Sequence, residues 1–174
     1  GDFDQKQALL TYNAKLANNL WNLVNRVVVL TLKLEWSLDS KIDPVIMKDL
    51  DALKENFDVN FKNFSLKDSL DDAFHFLDIV NKYVDENEPW KMIKDETKIE
   101  ETKEVLYTVA ESLRQVWLCL YTFFPQKISE LFEKIGLDNY KVELEEWKLE
   151  ELRNKKEVFK ITEKWENLFD RFEV

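Results

Sequence analysis

The chain has 174 residues, of which 45% are hydrophobic and 34% are charged, and its formal net charge at pH 7 is -10. This acidity argues against a protein that binds nucleic acid through a broad basic surface. With only two glycines and three prolines, the composition predicts a nearly all-helical protein that buries a substantial core. We expect no membrane span and no secretory signal, because no uncharged apolar run approaches the required length and no basic segment leads into one.

The first predicted helix starts near Asp2 or Asp4 and has two distinct faces. Its apolar face recurs at steps of three and four residues through Leu16, Leu20, Leu23, Val27 and Leu30. The other face carries Asn18, Asn22 and Arg26, which stack because side chains at i and i+4 lie on the same side of a helix. Amides followed by a guanidinium suit base edges and phosphates. A simply solvated helix face is the alternative, and these residues alone leave both interpretations open.

Charge is distributed unevenly along the chain. Residues 1–34 have a local balance of +2, so the remaining 140 residues carry -12. The first helix therefore repels an anion least. If RNA binds this chain, we expect a small specific site on this helix.

The next two helices read as packing elements. Asp43 and Pro44 end a connection that begins at Trp36, and the second helix follows from Pro44. Ser65 and Asp68 have the spacing of a capping box at the start of the third helix. That helix holds the only histidine of the chain, His75. One histidine cannot supply the ligands of a helical-bundle metal site, so we predict no metal site.

The third helix is predicted to end at a corner formed by Pro89 and Trp90. Proline disfavours helical geometry in the residue before it, so the helix stops near Glu88. Trp90 follows at once among acidic side chains. An indole at this place is either part of the core, as most are, or a platform on which a base stacks.

The fourth helix, apolar on more than one face from Val105 to Phe124, is predicted to be central. Cys119 lies inside it, which indicates core packing, a reducing compartment and a cytoplasmic protein. After Gly136 the apolar residues scatter among charges. We therefore predict a helical bundle over residues 1–137 and a C-terminal extension, residues 138–174, that packs back on it. No nucleophile and base pair, phosphate loop or zinc ligand set is recognisable, so we predict no catalytic residues.

Three stretches together resemble the helical anticodon-binding domain of methionyl-tRNA synthetase, a class I aminoacyl-tRNA synthetase. They are NAKLANNLWNLVNRV (13–27), NKYVDENEPWKMIK (81–94) and LYTVAESLRQVWLCLYTFFPQKISELFEKIGL (106–137). The similarity continues through Trp147 to LFDRF at 168–172, and so covers essentially the whole chain. It implies an all-α antiparallel bundle of the class I anticodon-binding type.

The resemblance also implies a function and the residues that perform it. Trp90 would stack on a base of the CAU anticodon, at the wobble cytosine. Asn22 and Arg26 would hydrogen-bond to the anticodon, with Asn18 in support and Pro89 setting the corner. The partners implied are methionine tRNA and an N-terminal catalytic domain outside this chain. That domain would bind ATP, and zinc is a further candidate there. The parent protein would then be an ATP-dependent methionine–tRNA ligase. The fragment itself is expected to need no cofactor.

Two positions depart from the family pattern. Trp21 stands where the family usually has glycine. The sequence Leu-Trp-Asn at this position resembles that of the isoleucyl, valyl and leucyl synthetases. These relatives lack the Glu-Pro-Trp corner in this form. Asp170 replaces a closing proline. An anticodon-binding domain of one of those relatives, or a helical scaffold that docks proteins, is the alternative.

Overall fold

The computed structural model describes residues 18–20, 22–34, 37–123, 125–134, 137, 140–146 and 148–160. Helix α1 covers residues 18–20 and 22–34. It is followed by α2 (Pro44–Lys62), α3 (Leu66–Asn87), α4 (Pro89–Met92), a 3₁₀ turn (Glu96–Lys98), α5 (Ile99–Tyr121), α6 (Pro125–Lys134), α7 (Tyr140–Glu145) and α8 (Leu149–Asn154). The predicted all-α bundle is confirmed.

Helix α5 is the centre of the bundle, as its sequence predicts. Every residue from Val105 to Tyr121 is buried, and α2, α3, α4, α6 and α8 all pack against it. Helix α1 joins it as well, since Val24 and Val28 line one apolar cavity together with Ala110 and Leu113 of α5. Cys119 is 1% exposed, and burial raises the pKa of its thiol to about 12. The prediction that this cysteine is core filler is confirmed.

The start of α2 ties three helices together through Asp43. One carboxylate oxygen of Asp43 accepts a hydrogen bond from the Val45 amide and caps α2, whose first residue is Pro44. The other accepts from the Tyr83 hydroxyl of α3 at 2.9 Å. The Asp43 amide donates to Thr108 Oγ1 of α5 at 2.8 Å. This end of the bundle is therefore held by polar contacts as well as by the apolar core.

The capping box predicted for α3 is wrong, although the helix does begin there. Ser65 makes no side-chain hydrogen bond to the helix backbone. Its hydroxyl donates instead to the Asp68 carboxylate, which as a charged group is a stronger acceptor than a neutral one.

A two-stranded sheet, which the sequence did not predict, fastens the C-terminal extension to the bundle. Strand β1 (Ser37–Leu38) lies in the connection before α2 and pairs antiparallel with β2 (Phe159–Lys160). Phe159 is buried, and its ring packs edge-on against Tyr107 of α5 with centroids 5.5 Å apart. Residues 140–146 and 148–160 thus return to the bundle as expected. The aromatic residues after 160 lie outside the described part, and the domain boundary at 137 stays a prediction.

A buried ion pair on α5 holds the returning segment in place. Arg114 and Glu111 are joined by two hydrogen bonds of 2.7 and 2.5 Å, and the Arg114 side chain is 0% exposed. Arg114 also donates to the Tyr140 hydroxyl and to the carbonyl oxygens of Leu152 and Lys155. Burial alone would lower the pKa of Arg114, but the hydrogen bonds and charge of Glu111 reverse this, and the pKa is raised. The guanidinium is therefore charged. Its N–H groups donate to acceptors on α5, on α7, and at α8 and the residue after it.

Removing this guanidinium should destabilise the protein strongly. Arg114→Met leaves the Glu111 carboxylate buried without its counter-charge, and we expect a loss of about 3–5 kcal/mol in the free energy of unfolding. Urea denaturation followed by circular dichroism measures it. The control is the double variant Glu111→Leu with Arg114→Met, which removes both charges of the pair and should regain part of that loss. A double variant less stable than Arg114→Met alone would contradict this account.

Candidate nucleic-acid interface

The bundle brings the polar face of α1 against the corner between α3 and α4. The Arg26 guanidinium carbon lies 5.7 Å from the centroid of the Trp90 ring, within the range of a cation–π contact. Arg26 Nη1 also donates to Asp85 Oδ1 of α3 at 2.7 Å. Two residues that are 64 positions apart in the sequence, Arg26 and Trp90, therefore form one surface.

Helix α1 presents its polar row to solvent. Asn18, Asn22 and Arg26 are all exposed, and they share a face because they are spaced four residues apart. The opposite face is buried at Leu20, Leu23, Val24, Val27 and Leu30. The two predicted faces of this helix are confirmed over its described residues.

The corner itself has a fixed and strained backbone. Glu88 ends α3 in the left-handed region, with φ 49° and ψ 54°, a conformation that costs a non-glycine residue roughly 1–2 kcal/mol. Pro89, which is buried, starts α4 and disfavours the right-handed helical region for Glu88. The Glu88 carbonyl accepts from the Lys91 amide at 2.7 Å, and its side chain pairs with Lys91 Nζ at 2.6 Å. The backbone conformation of Glu88 is thus fixed by Pro89 and by both contacts with Lys91.

Trp90 is neither fully buried nor free. Its side chain is half-buried and packs against the hydrophobic core, while Arg26 lies over the ring. The core interpretation of this indole is therefore confirmed in part, and its use as a platform for a base stays a prediction. Part of the indole stabilises the corner, and part belongs to the surface that carries Arg26.

Asp85 contacts Arg26 in this candidate site, although sequence reasoning did not single it out. Its side chain is 61% exposed and that of Arg26 is 42% exposed, so the pair faces solvent. Asp85 is one of several acidic residues before Pro89, and only the packing of α1 against α3 distinguishes it from its neighbours. Its carboxylate competes with any phosphate for the same guanidinium.

Neither a metal site nor a membrane span is found among the described residues. They contain no group of three or more histidine, cysteine, aspartate or glutamate side chains that could hold a metal ion, and His75 is exposed. Among these residues, no helix is long and apolar enough to cross a membrane.

This chain is similar in sequence to methionine–tRNA ligases. It is 31% identical over 156 residues to the methionine–tRNA ligase of Clostridium acetobutylicum, a match that covers 84% of this chain and 23% of that protein. The Bacillus subtilis methionine–tRNA ligase is 30% identical over 132 residues, or 72% of this chain and 20% of that protein. The predicted resemblance to methionyl-tRNA synthetases is confirmed. No protein-family model matches the chain.

Solved structures of methionyl-tRNA synthetase share this fold. Mycobacterium tuberculosis methionyl-tRNA synthetase in complex with methionyl-adenylate superposes with a TM-score of 0.67 at 22% identity, covering 75% of this chain and 27% of that one. Its apo form gives a TM-score of 0.65 over 72% of this chain. The chain spans about a quarter of the length of the methionyl-tRNA synthetases it matches.

Neutralising Asp85 should make the surface more attractive to any nucleic acid. In Asp85→Asn the guanidinium of Arg26 loses its paired charge and the surface loses one repulsive carboxylate, so we expect RNA affinity to rise about threefold to tenfold at low salt. Stability should change by less than about 1 kcal/mol, because the pair is exposed. Fluorescence anisotropy with a labelled RNA stem-loop at two salt concentrations measures this.

The control for this variant is Glu86→Gln. Glu86 lies beside Asp85 on α3 and pairs with Lys82 at 3.7 Å, so its removal changes the net charge equally without releasing Arg26. Equal gains for Glu86→Gln and Asp85→Asn would mean that the Arg26 pair has no special part in binding.

Proposed function

We propose that this chain is the tRNA anticodon-binding domain of a methionyl-tRNA synthetase and reads the CAU anticodon. On this proposal it is a non-catalytic part of a longer, cytoplasmic methionine–tRNA ligase. Another part of that ligase, a catalytic domain outside this chain, binds ATP and methionine. If the ligase holds zinc, the zinc is bound by that catalytic domain. The sequence matches to methionine–tRNA ligases support the parent identity.

The observation that carries the proposal is the contact between Arg26 and Trp90. It unites a row of amides and a guanidinium on α1 with an aromatic ring on a rigid corner. Proteins read single-stranded RNA mainly by stacking unpaired bases on aromatic rings and hydrogen-bonding to their edges. Both kinds of group meet at this surface, and the net charge of -10 favours recognition by a few specific contacts.

Each residue has a distinct role in this proposal. Trp90 stacks on the wobble cytosine, and Pro89 holds the corner that carries it. Asn22 and Arg26 hydrogen-bond to bases and backbone, and Asn18 supports them from one turn earlier on α1. A base that stacks on the face of Trp90 now covered by Arg26 displaces the guanidinium, which then becomes available to a phosphate or a base edge.

The second candidate is a helical scaffold that docks proteins. The acidity of the chain and the packing of Trp90 against the core favour it. In that case the asparagine row on α1 is only solvated, and no anticodon is distinguished from another.

Trp90→Ala should weaken binding of a CAU stem-loop by about 5-fold to 150-fold, the effect of losing one stacked base. Because the indole also packs against the core, the variant should lose stability too. The control is Met92→Ala, which removes another partly buried side chain of α4 without removing an aromatic ring. Both variants should melt earlier than the parent, but only Trp90→Ala should lose RNA affinity when measured well below its melting temperature.

Discrimination between anticodons is tested by titrating the domain with fluorescent CAU and GAU stem-loops at low salt. We expect CAU to bind at least tenfold more tightly, since each unmatched base leaves polar groups without partners. Equal affinity for the two stem-loops would contradict the methionine assignment. Absence of binding by both, in a protein that folds cooperatively, would favour the scaffold.

A further inference from the structure

The polar row of α1 continues beyond Arg26 as far as Lys33. Lys33 follows Arg26 by seven residues and Asn22 by eleven, which is about two and about three helical turns at 3.6 residues per turn. Residues at these spacings lie on the same side of a helix. Lys33 is exposed, and it therefore shares the face that carries Asn22 and Arg26.

This face of α1 carries positive charge and no negative charge of its own. Between residues 18 and 34 the helix has two cations, Arg26 and Lys33, and no aspartate or glutamate. Val29 lies between the two cations on the same face and is 45% exposed. The chain as a whole is strongly acidic, with a net charge of -10. The exposed row of α1 is thus a surface on which an anion meets no repulsion from the helix itself.

Lys33 differs from Arg26 in having no counter-ion among the described residues. Arg26 is paired with Asp85 of α3 and lies over the ring of Trp90. The side chain of Lys33 takes part in none of the ion pairs or hydrogen bonds that the described residues form with one another. Its ammonium therefore binds an external anion without first displacing a carboxylate, as Arg26 must.

The position and the chemistry of Lys33 indicate a phosphate as its ligand. Seven residues at about 1.5 Å each place the Cα of Lys33 about 10 Å along α1 from that of Arg26, whereas a hydrogen bond to a base held at Arg26 and Trp90 requires about 3 Å. A lysine ammonium is a compact point charge without the planar fork of arginine. It suits a phosphate of the RNA backbone better than the edge of a base.

We propose that Lys33 binds a backbone phosphate of the stem-loop, outside the three anticodon bases, and fixes how the loop lies along α1. This inference rests on the proposed function, because it takes an RNA stem-loop as the ligand of this surface. Phosphate contacts orient a nucleic acid, while contacts to base edges select its sequence. Lys33 is thus an orienting residue, and the selectivity belongs to Asn22, Arg26 and Trp90.

The salt dependence of RNA binding tests this contact in the full-length protein. Each phosphate that a lysine neutralises steepens the fall of log affinity with log salt by about 0.7 to 0.9. Lys33→Gln should therefore lower that slope by about 0.7 to 0.9 and weaken binding of a CAU stem-loop about fivefold to tenfold at about 50 mM salt. Lys33→Arg keeps the positive charge and should keep the slope. Fluorescence anisotropy with a labelled stem-loop measures both quantities.

The matched control is Lys62→Gln, which removes the same charge elsewhere. Lys62 is exposed at the end of α2. Asn60, two residues earlier, contacts Asp72 in the first half of α3, so Lys62 lies away from the corner at which α3 ends. Its removal should leave the salt slope unchanged. An unchanged slope in Lys33→Gln, or an equal reduction in Lys62→Gln, would overturn the proposal.

Neutral methylphosphonate groups in the RNA locate the phosphate. Each backbone phosphate of the CAU stem-loop is replaced in turn, and each RNA is titrated with the unsubstituted protein and with Lys33→Gln. We expect one position outside the anticodon triplet at which replacement weakens binding to the unsubstituted protein about fivefold to tenfold. The same replacement should have no further effect in Lys33→Gln, because both changes remove one contact. Independent effects at every position would contradict the assignment.

Titrations with a GAU stem-loop separate this inference from the proposed function. Lys33→Gln should weaken CAU and GAU binding by the same factor, and a selective loss of CAU binding would overturn the phosphate contact. If the unsubstituted protein binds both stem-loops equally while Lys33→Gln still lowers the salt slope, CAU recognition is wrong and the contact at Lys33 stands. Absence of binding to either stem-loop would overturn both.

Discussion

The position of the segment that returns to the bundle depends on the buried pair of Arg114 and Glu111 on α5. A charged guanidinium with 0% side-chain exposure is stable only if its donors are satisfied, and here they bind Glu111, Tyr140 and the carbonyls of Leu152 and Lys155. These partners come from α5, α7, and the end of α8 and the residue after it. The returning segment thus supplies the acceptors that the central helix requires, and its position follows from the need to satisfy a buried charge.

The exposed ion pair of Arg26 and Asp85 contributes to stability differently from this buried pair. Arg26 and Asp85 are exposed, so their pairing contributes little to folding and can be exchanged for another anion at small cost. Trp90 is held more firmly because part of its ring packs against the core. The fixed ring and the exchangeable guanidinium suit a site that must recognise a ligand and then release it.

The fold could largely be predicted because its helices carry strong local signals. The periodic apolar face of α1, the proline at the start of α2 and the unbroken apolar run of α5 each indicate one structure. The β1–β2 pairing could not be predicted, since two residues per strand leave no periodic pattern and the partners are more than 120 positions apart. The same limit applies to the site. Local spacing indicated Asn18, Asn22 and Arg26, and the Pro89 corner indicated Trp90, but the choice of Asp85 as partner depends on how α1 packs against α3.

The left-handed backbone of Glu88 affects how entropy is divided between protein and ligand. The corner is already ordered by Pro89 and by the pairing of Glu88 with Lys91. A flexible loop would lose conformational freedom each time a ligand bound. Here that loss occurred once, when the chain folded, and the strain at Glu88 is carried by the stability of the whole bundle. On the proposed function, binding would then order mainly the RNA and would leave the corner unchanged.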